Sequence, residues 1–412
     1  MNILDFGAVR GGICTEAIQH AIDSAAAQGG GRVTVPAGSF ETAGLVLRSN
    51  VELHLEAGAV LSFVDDFGAY PIIHTRWEGY EQDSYRPLIY AKGETNVSLT
   101  GSGTLEGRGK KWWAAFRAGE MKAARPCFVC FEDCDRVLME GFRVQNSPAW
   151  TIHPLKCENV TIHNLTVVNP ADSPNTDGVD PESCRNVRIS GCHIDVGDDC
   201  IAIKAGTEDA EEMIPCENIT ITGCTMVHGH GGVVLGSEMS GSIRRVAIAG
   251  CVFDGTDRGI RIKTRRGRGG CVEDVSVTGV VMNDVLCPLV INLMYFCGKD
   301  GKAPIVSDPN PQPVTEKTPH VRRIRMADIV VTNAKSAAGC LFGLPEAPLE
   351  DISVVNTQIH LVESTPVEPV MNAVAKPVTL AGLTAQYVDG LHMTDVSIVG
   401  AKGEAVMLNH VK

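Results

Sequence analysis

Apolar and polar residues alternate with a period of two along most of the chain, and Gly, Asn or Asp interrupts the alternation every few residues. This is strand patterning with corners, and helical periodicity is absent from it. One phrase recurs: Val137-Leu-Met-Glu-Gly-Phe-Arg-Val, Val160-Thr-Ile-His-Asn-Leu-Thr-Val, Val187-Arg-Ile-Ser-Gly-Cys-His-Ile and Ile219-Thr-Ile-Thr-Gly-Cys-Thr-Met. Further copies begin at Val246, Val275, Ile324 and Ile352, with an earlier one at Val97. From Val137 to Val275 the copies start 23, 27, 32, 27 and 29 residues apart, a solenoid period. Coils of this kind bury their inner faces only by stacking, which predicts an all-β, single-stranded right-handed parallel β-helix.

The sixth position of the phrase reads Phe142, Leu165, Cys192, Cys224, Cys251, Val280 and Ile329, a column expected to form an interior ladder. Its cysteines are then small buried hydrophobes. Cys127-x-x-Cys130-x-x-x-Cys134 alternates as a strand and lacks a second matched pair, so no metal site is read there. A helical stripe at 17, 18, 21, 22 and 25, ended by Gly29-Gly30-Gly31, predicts a helix capping the open end within residues 1–32. No linker interrupts the repeat, so residues 1–412 are expected to form one domain.

The 44% hydrophobic fraction excludes a disordered chain. With 36 Lys+Arg against 49 Asp+Glu the net charge is −13, which argues against nucleic-acid or anionic-membrane partners. The longest apolar stretch, 285–297, is short of the ~20 residues that span a bilayer. Met1-Asn-Ile-Leu-Asp-Phe runs straight into foldable sequence, so a cytoplasmic location is expected, or secretion if an export signal has been removed.

Candidate chemistry falls in consecutive coils. Asn175-Thr-Asp177, Asp198-Asp199, Gly229-His230-Gly231 and Arg261-Ile-Lys263 follow one another, with Asp177 to Asp199 spanning 22 residues and Asp199 to His230 and His230 to Arg261 spanning 31 each. Residues one coil apart stack about 4.8 Å apart, so these groups are expected on one outer face. Any one motif alone reads as turn chemistry or a solvated strand face. Together, clustered acids must raise at least one carboxyl pKa, and a protonated carboxyl beside ionised ones suits glycoside hydrolysis.

In these four motifs the sequence resembles glycoside hydrolase family 28, the polygalacturonases and their relatives, closest to bacterial exo-acting members. The opening Phe6-Gly-Ala, the stretch from Gly29 and Tyr295 extend the likeness over nearly the whole chain. The resemblance implies that Asp198 is the general acid and that Asp177 and Asp199 position and deprotonate the attacking water. It implies that His230 keeps the acids in their working protonation state, and that Arg261 and Lys263, with Asn175 and Tyr295, bind substrate. An Arg fork beside a Lys point charge suits a galacturonate carboxylate. The expected reaction is inverting hydrolysis of α-1,4-galacturonosyl linkages without a metal or cofactor, with acid and base carboxyls roughly 6.5–9.5 Å apart.

Arg265-Arg266-Gly-Arg268 extends the basic residues and is expected to form a local patch for a polyanion. The intervals Val97 to Val137 and Val275 to Ile324 are 40 and 49 residues, so each carries an insertion of the kind that forms lids. Arg76 and Trp77 are read as a cation and an aromatic platform for a terminal sugar, and Glu238 fits the exo-acting resemblance. Exo-action from the non-reducing end is therefore expected. The alternatives are an endo-polygalacturonase, a rhamnogalacturonan-type hydrolase, a calcium-dependent pectate-lyase-type enzyme and a non-catalytic saccharide-binding solenoid.

Overall fold

The inward half of the alternation builds the core, coil upon coil. The computed structural model describes residues 1–412, which divide into two units, Met1–Asp198 and Asp199–Lys412. In the first unit, strands Gly31–Val35, Val51–Leu55, Thr95–Gly101, Asp135–Glu140, Glu158–His163 and Arg185–Ser190 stack in parallel. Their register aligns Val33, Leu53, Leu99, Met139, Ile162 and Ile189 in one buried column. The turns into these strands repeat as well: Asn50, Asn96, Asn159 and Asn186 all have positive φ, which Asn tolerates better than most residues. Asn96 donates to the Asn50 side chain at 3.0 Å and Asn186 to that of Asn159 at 3.2 Å, so the turn amides form their own ladder.

In the second unit, Cys216–Thr222, Ile243–Ala249, Cys271–Asn283, His320–Ala334, Leu349–Leu361 and Ala381–Val399 repeat the arrangement, with Ile221, Ile248, Val277, Met326 and Val354 aligned and buried. The fold class is the right-handed parallel β-helix expected from the repeat. Every member of the sixth-position column is at most 2% exposed, cysteines included, and all 15 Cys are free thiols. The helix Thr15–Ala27 buries Ile18, Ala21, Ile22 and Ala25 and lies against the first coil's strands. No helix is long and apolar enough to cross a membrane.

Both long intervals contain more structure than a plain loop. The first carries an α-helix, Lys110–Arg117, whose Trp112 is fully buried against Phe67, Tyr70 and Tyr85. Eight residues centred on two tryptophans show too little periodicity to announce a helix. The segment that carries Arg76 and Trp77 forms an antiparallel hairpin of Ile72–Trp77 and Tyr80–Tyr85. Its two turn residues, Glu78 and Gly79, have φ of 51° and 78°, the positive pair that a tight hairpin turn requires.

Candidate active site

In the first unit, Asn175-Thr176-Asp177 is held by its backbone. Thr151 and Ile152 donate their amides to the carbonyls of Asp177 and Gly178 at 2.9 and 3.1 Å. Behind it lies a residue that sequence reasoning missed: Arg125 donates to the Asn175 side chain at 2.6 Å and to the carbonyls of Pro148 and Pro174 at 3.0 and 2.7 Å. Burial pulls this guanidinium down to about 10 against the opposing pull of Glu78 and Asp177, so it stays charged at neutral pH. Its sequence signal was slight, a lone Arg-Pro inside an insertion.

Asp177 is buried and Asp198 half-buried, and each offers a carboxylate oxygen within 4.8 Å of the other.

In the second unit, strand Arg258–Lys263 turns Ile260 and Ile262 into the core, leaving Arg261 and Lys263 on the outer face. Both cations meet Asp199. Arg261 Nη1 lies 3.1 Å from Oδ1 and Lys263 Nζ 2.7 Å from Oδ2, and all three side chains are less than a tenth exposed. Burial alone would raise the Asp199 carboxyl, but Lys263, Arg261 and Lys204 outweigh it and hold the group well below the ordinary carboxylate range. Lys263 is raised in turn, because Asp199 and Tyr295 overcome its burial. With its charge already met by two cations, Asp199 offers little to a metal ion.

Tyr295 faces both cations, its ring centre 5.6 Å from the Arg261 guanidinium carbon and 5.1 Å from Lys263 Nζ. Burial pushes its hydroxyl up to about 12. Glu238 is also drawn in: burial would raise it, but Lys204, Arg268 and Lys263 hold it low, and Lys204 approaches it at 3.5 Å. Lys204 thus joins the basic cluster although sequence reasoning gave it no role. Gly231 explains part of the Gly-His-Gly motif, since a Cβ there would press on Val234 at 2.4 Å and meet Asp199 and Arg261 at 3.3 and 3.4 Å. His230 is exposed and lines a cavity of about 810 Å³ together with Arg258, Phe296, Lys302, Met371 and Asn372. Part of that wall is a strap, 364–378, not foreseen from sequence. Arg258 donates to the carbonyls of Glu368 and Pro369, and Arg261 Nη2 meets Met371 Sδ at 2.9 Å.

Two expected contact residues sit elsewhere than their proposed roles require. Arg76 is only 3% exposed, pairs with Glu81 at 2.5 Å and lies 3.7 Å from the fully buried Glu182. Trp77 is buried with its ring 4.6 Å from that of Trp150. Both anchor the hairpin to the coil wall instead of presenting a sugar platform. The run Arg265, Arg266 and Arg268 is likewise buried, not a polyanion patch. Arg266 forks onto Glu346 and donates to the carbonyls of Ile305 and Asp308, while Arg265 and Arg268 share Glu208. These arginines fasten the 293–319 loop.

Under the hairpin, Cys127, His153 and Glu182 line up as a thiol, imidazole and carboxylate, with Cys127 Sγ 3.6 Å from His153 Nδ1 and Nε2 3.0 Å from Glu182. Burial first, then Asp180, Glu182 and Asp177, push the Cys127 thiol well above its usual range. A thiolate is the nucleophile in cysteine chemistry, so this string is structural.

The family model for glycosyl hydrolases family 28 matches residues 29–340. A probable polygalacturonase from Vitis vinifera is 34% identical over 374 residues, covering 87% of this chain and 74% of that relative. The crystal structure of a hyperthermoactive exopolygalacturonase from Thermotoga maritima is 32% identical, with a TM-score of 0.78 over 92% of this chain and 94% of that one. A family 28 exopolygalacturonase from Yersinia enterocolitica, at 23% identity, shares the fold with a TM-score of 0.84 over 100% of this chain and 77% of its own. The expectation of a cytoplasmic location is overturned by these relatives, plant and bacterial polygalacturonases of a typically secreted, cell-wall class.

The Asp199 pairing predicts how stability follows pH. A carboxyl lowered on folding stabilises fully above its unfolded value of about 4, and that contribution is lost as pH falls toward its folded value. Urea midpoints should therefore drop on acidification below about pH 4. Asp199→Asn should lower stability at pH 7 by about 3–5 kcal/mol, because two buried cations lose their counter-ion. Unchanged midpoints in the variant would refute the pairing.

Proposed function

The chain belongs to glycosyl hydrolases family 28 and so is a glycoside hydrolase, and within that family we propose that it cleaves α-1,4-galacturonosyl linkages, removing sugars from a chain end. The observation that carries the substrate class is the Arg261, Lys263 and Tyr295 cluster, fixed cations against an aromatic wall, which suits a uronate carboxylate. In this reading Asp198, the more exposed acid, protonates the leaving oxygen, and Asp177 and Asp199 take the water. His230 lines the adjoining cavity, where it keeps the acids in their working protonation state. Residues 1–412 act as one catalytic domain, for the repeat continues from Val187 to Ile219 without a linker.

Exo-action is supported by the covered face in the first unit. Tyr90, Cys130 and His153 form the outward column of the sheet that holds Ile89–Lys92, Val129–Glu132 and Ile152–Leu155, and all three are buried. The hairpin lies over them, with Thr75 donating to Glu132 at 3.0 Å, Arg76 pairing beside Glu182 and Trp77 against Trp150. A polysaccharide cannot run along a strand face that is already roofed. Inversion enters from the family resemblance.

Three measurements test this reading. Asp198→Asn should keep the fold but lose several orders of magnitude in turnover, as expected for loss of the proton donor; near-normal activity in a folded variant would remove Asp198 from that role. Viscometry of polygalacturonate should show viscosity falling slowly relative to reducing ends released, whereas a rapid early drop would mean internal cutting. Proton NMR should find the β-anomer released first, and the α-anomer first would establish retention.

A further inference from the structure

Asp199, one of the acids assigned to the water, has its charge matched by two cations. Its two oxygens are taken by Lys263 at 2.7 Å and Arg261 at 3.1 Å, in a pocket with almost no exposure. A base so neutralised is a weak one. Arg261 also reaches a softer acceptor. Arg261 Nη1 serves Asp199 and the carbonyl of His230, whereas its Nη2 meets the thioether of Met371 at 2.9 Å. Sulfur is a weak acceptor, and a carboxylate oxygen placed there would be a far better one. Met371 also lines the cavity of about 810 Å³ beside His230, so the position it fills borders open space. Tyr295 faces both cations and fixes where such a carboxylate would sit.

We propose that the substrate's own carboxylate displaces Met371 from Arg261 and draws Arg261 and Lys263 away from Asp199, so that this base is released only when a uronate is bound. The proposal rests on the galacturonan reading above and adds how recognition is coupled to the chemical step. Once its counter-ions are shared, Asp199 accepts a proton from the attacking water. The water oxygen bonds to the anomeric carbon, the glycosidic C–O bond breaks, and the leaving oxygen takes the proton of Asp198. A neutral sugar of the same shape would leave the pair closed.

The groups that set the charge of Asp199 are Lys263, Arg261, Lys204, Arg258 and Tyr295 on this side, with Glu238 beside Lys204. Asp177 and Asp198 are the acids that the mechanism sets to work with it. On binding, the added carboxylate and the cations it draws off both make Asp199 more basic.

The test compares pH profiles of the full chain on trigalacturonate. The acid limb of kcat/KM reports the free enzyme and that of kcat the complex. The limb of kcat should lie about one pH unit or more above that of kcat/KM, the scale of shift a neighbouring charge produces. In Lys263→Gln and Arg261→Gln the limb of kcat/KM should rise toward that of kcat, closing the gap, whereas loss of mere packing would lower the rates without moving the limbs. Coincident limbs in a wild-type enzyme that turns over trigalacturonate would overturn the proposal, and they would do so even if neither variant folded. Absence of hydrolysis at every pH would instead overturn the proposed function itself.

Discussion

Register in a parallel stack is the constraint on which everything else depends. Adjacent coils are about 4.8 Å apart, and a one-residue slip would move every inward side chain to the outside. Because Ile260 and Ile262 must join the buried ladder of Leu235 and Ile291, Arg261 and Lys263 have no choice but to face outward. The same reasoning puts His153 and Cys130 outward, between the inward Val129, Phe131 and Ile152. The side chains of the candidate site are positioned here by the core, so the site inherits the rigidity of the ladder.

Much of this was legible in the sequence, and the reason is periodicity. The phrase spacing, the interior column from Phe142 to Ile329 and the capping helix are all local or repeating signals, and the structure has each of them. What the sequence could not reveal was the partner of each exposed-looking charge. Arg266 stands in what reads as a solvated basic run, yet its carboxylate is Glu346, 80 residues on. Arg76 looked like a cation for a sugar acid, but Glu81 and Glu182 claim it. The strap that brings Met371 to Arg261 lies 110 residues downstream and matches no motif. Charges are ambiguous until the counter-charge is known, and in a solenoid that counter-charge is commonly one or more coils away.

The buried ion pairs also show a division of labour between coils and insertions. A buried pair contributes little net stability, since desolvation offsets most of its Coulomb attraction. Removing one partner is costly, so such pairs discriminate strongly between a docked and an undocked segment. Arg76 with Glu182 under the hairpin and Arg266 with Glu346 under the 293–319 loop both have this character. Apolar ladders set the stack, and ion pairs fix which conformation each insertion takes.

Asp199 applies the same physics to a different end. Its pairing with Arg261 and Lys263 is as deeply buried as those anchors, and Arg261 also meets a thioether, that of Met371. An anchor gains nothing from a weak acceptor at its edge, because a better one could have been built from any carbonyl of the strap, as Arg258 shows with Glu368 and Pro369. A site that must admit an anionic ligand gains from it directly, since displacing sulfur costs less than displacing an oxygen. The contrast between Arg258 and Arg261, three residues apart on one strand and facing one strap, is therefore one of acceptors, carbonyl oxygens for the first and a thioether at the cavity's edge for the second.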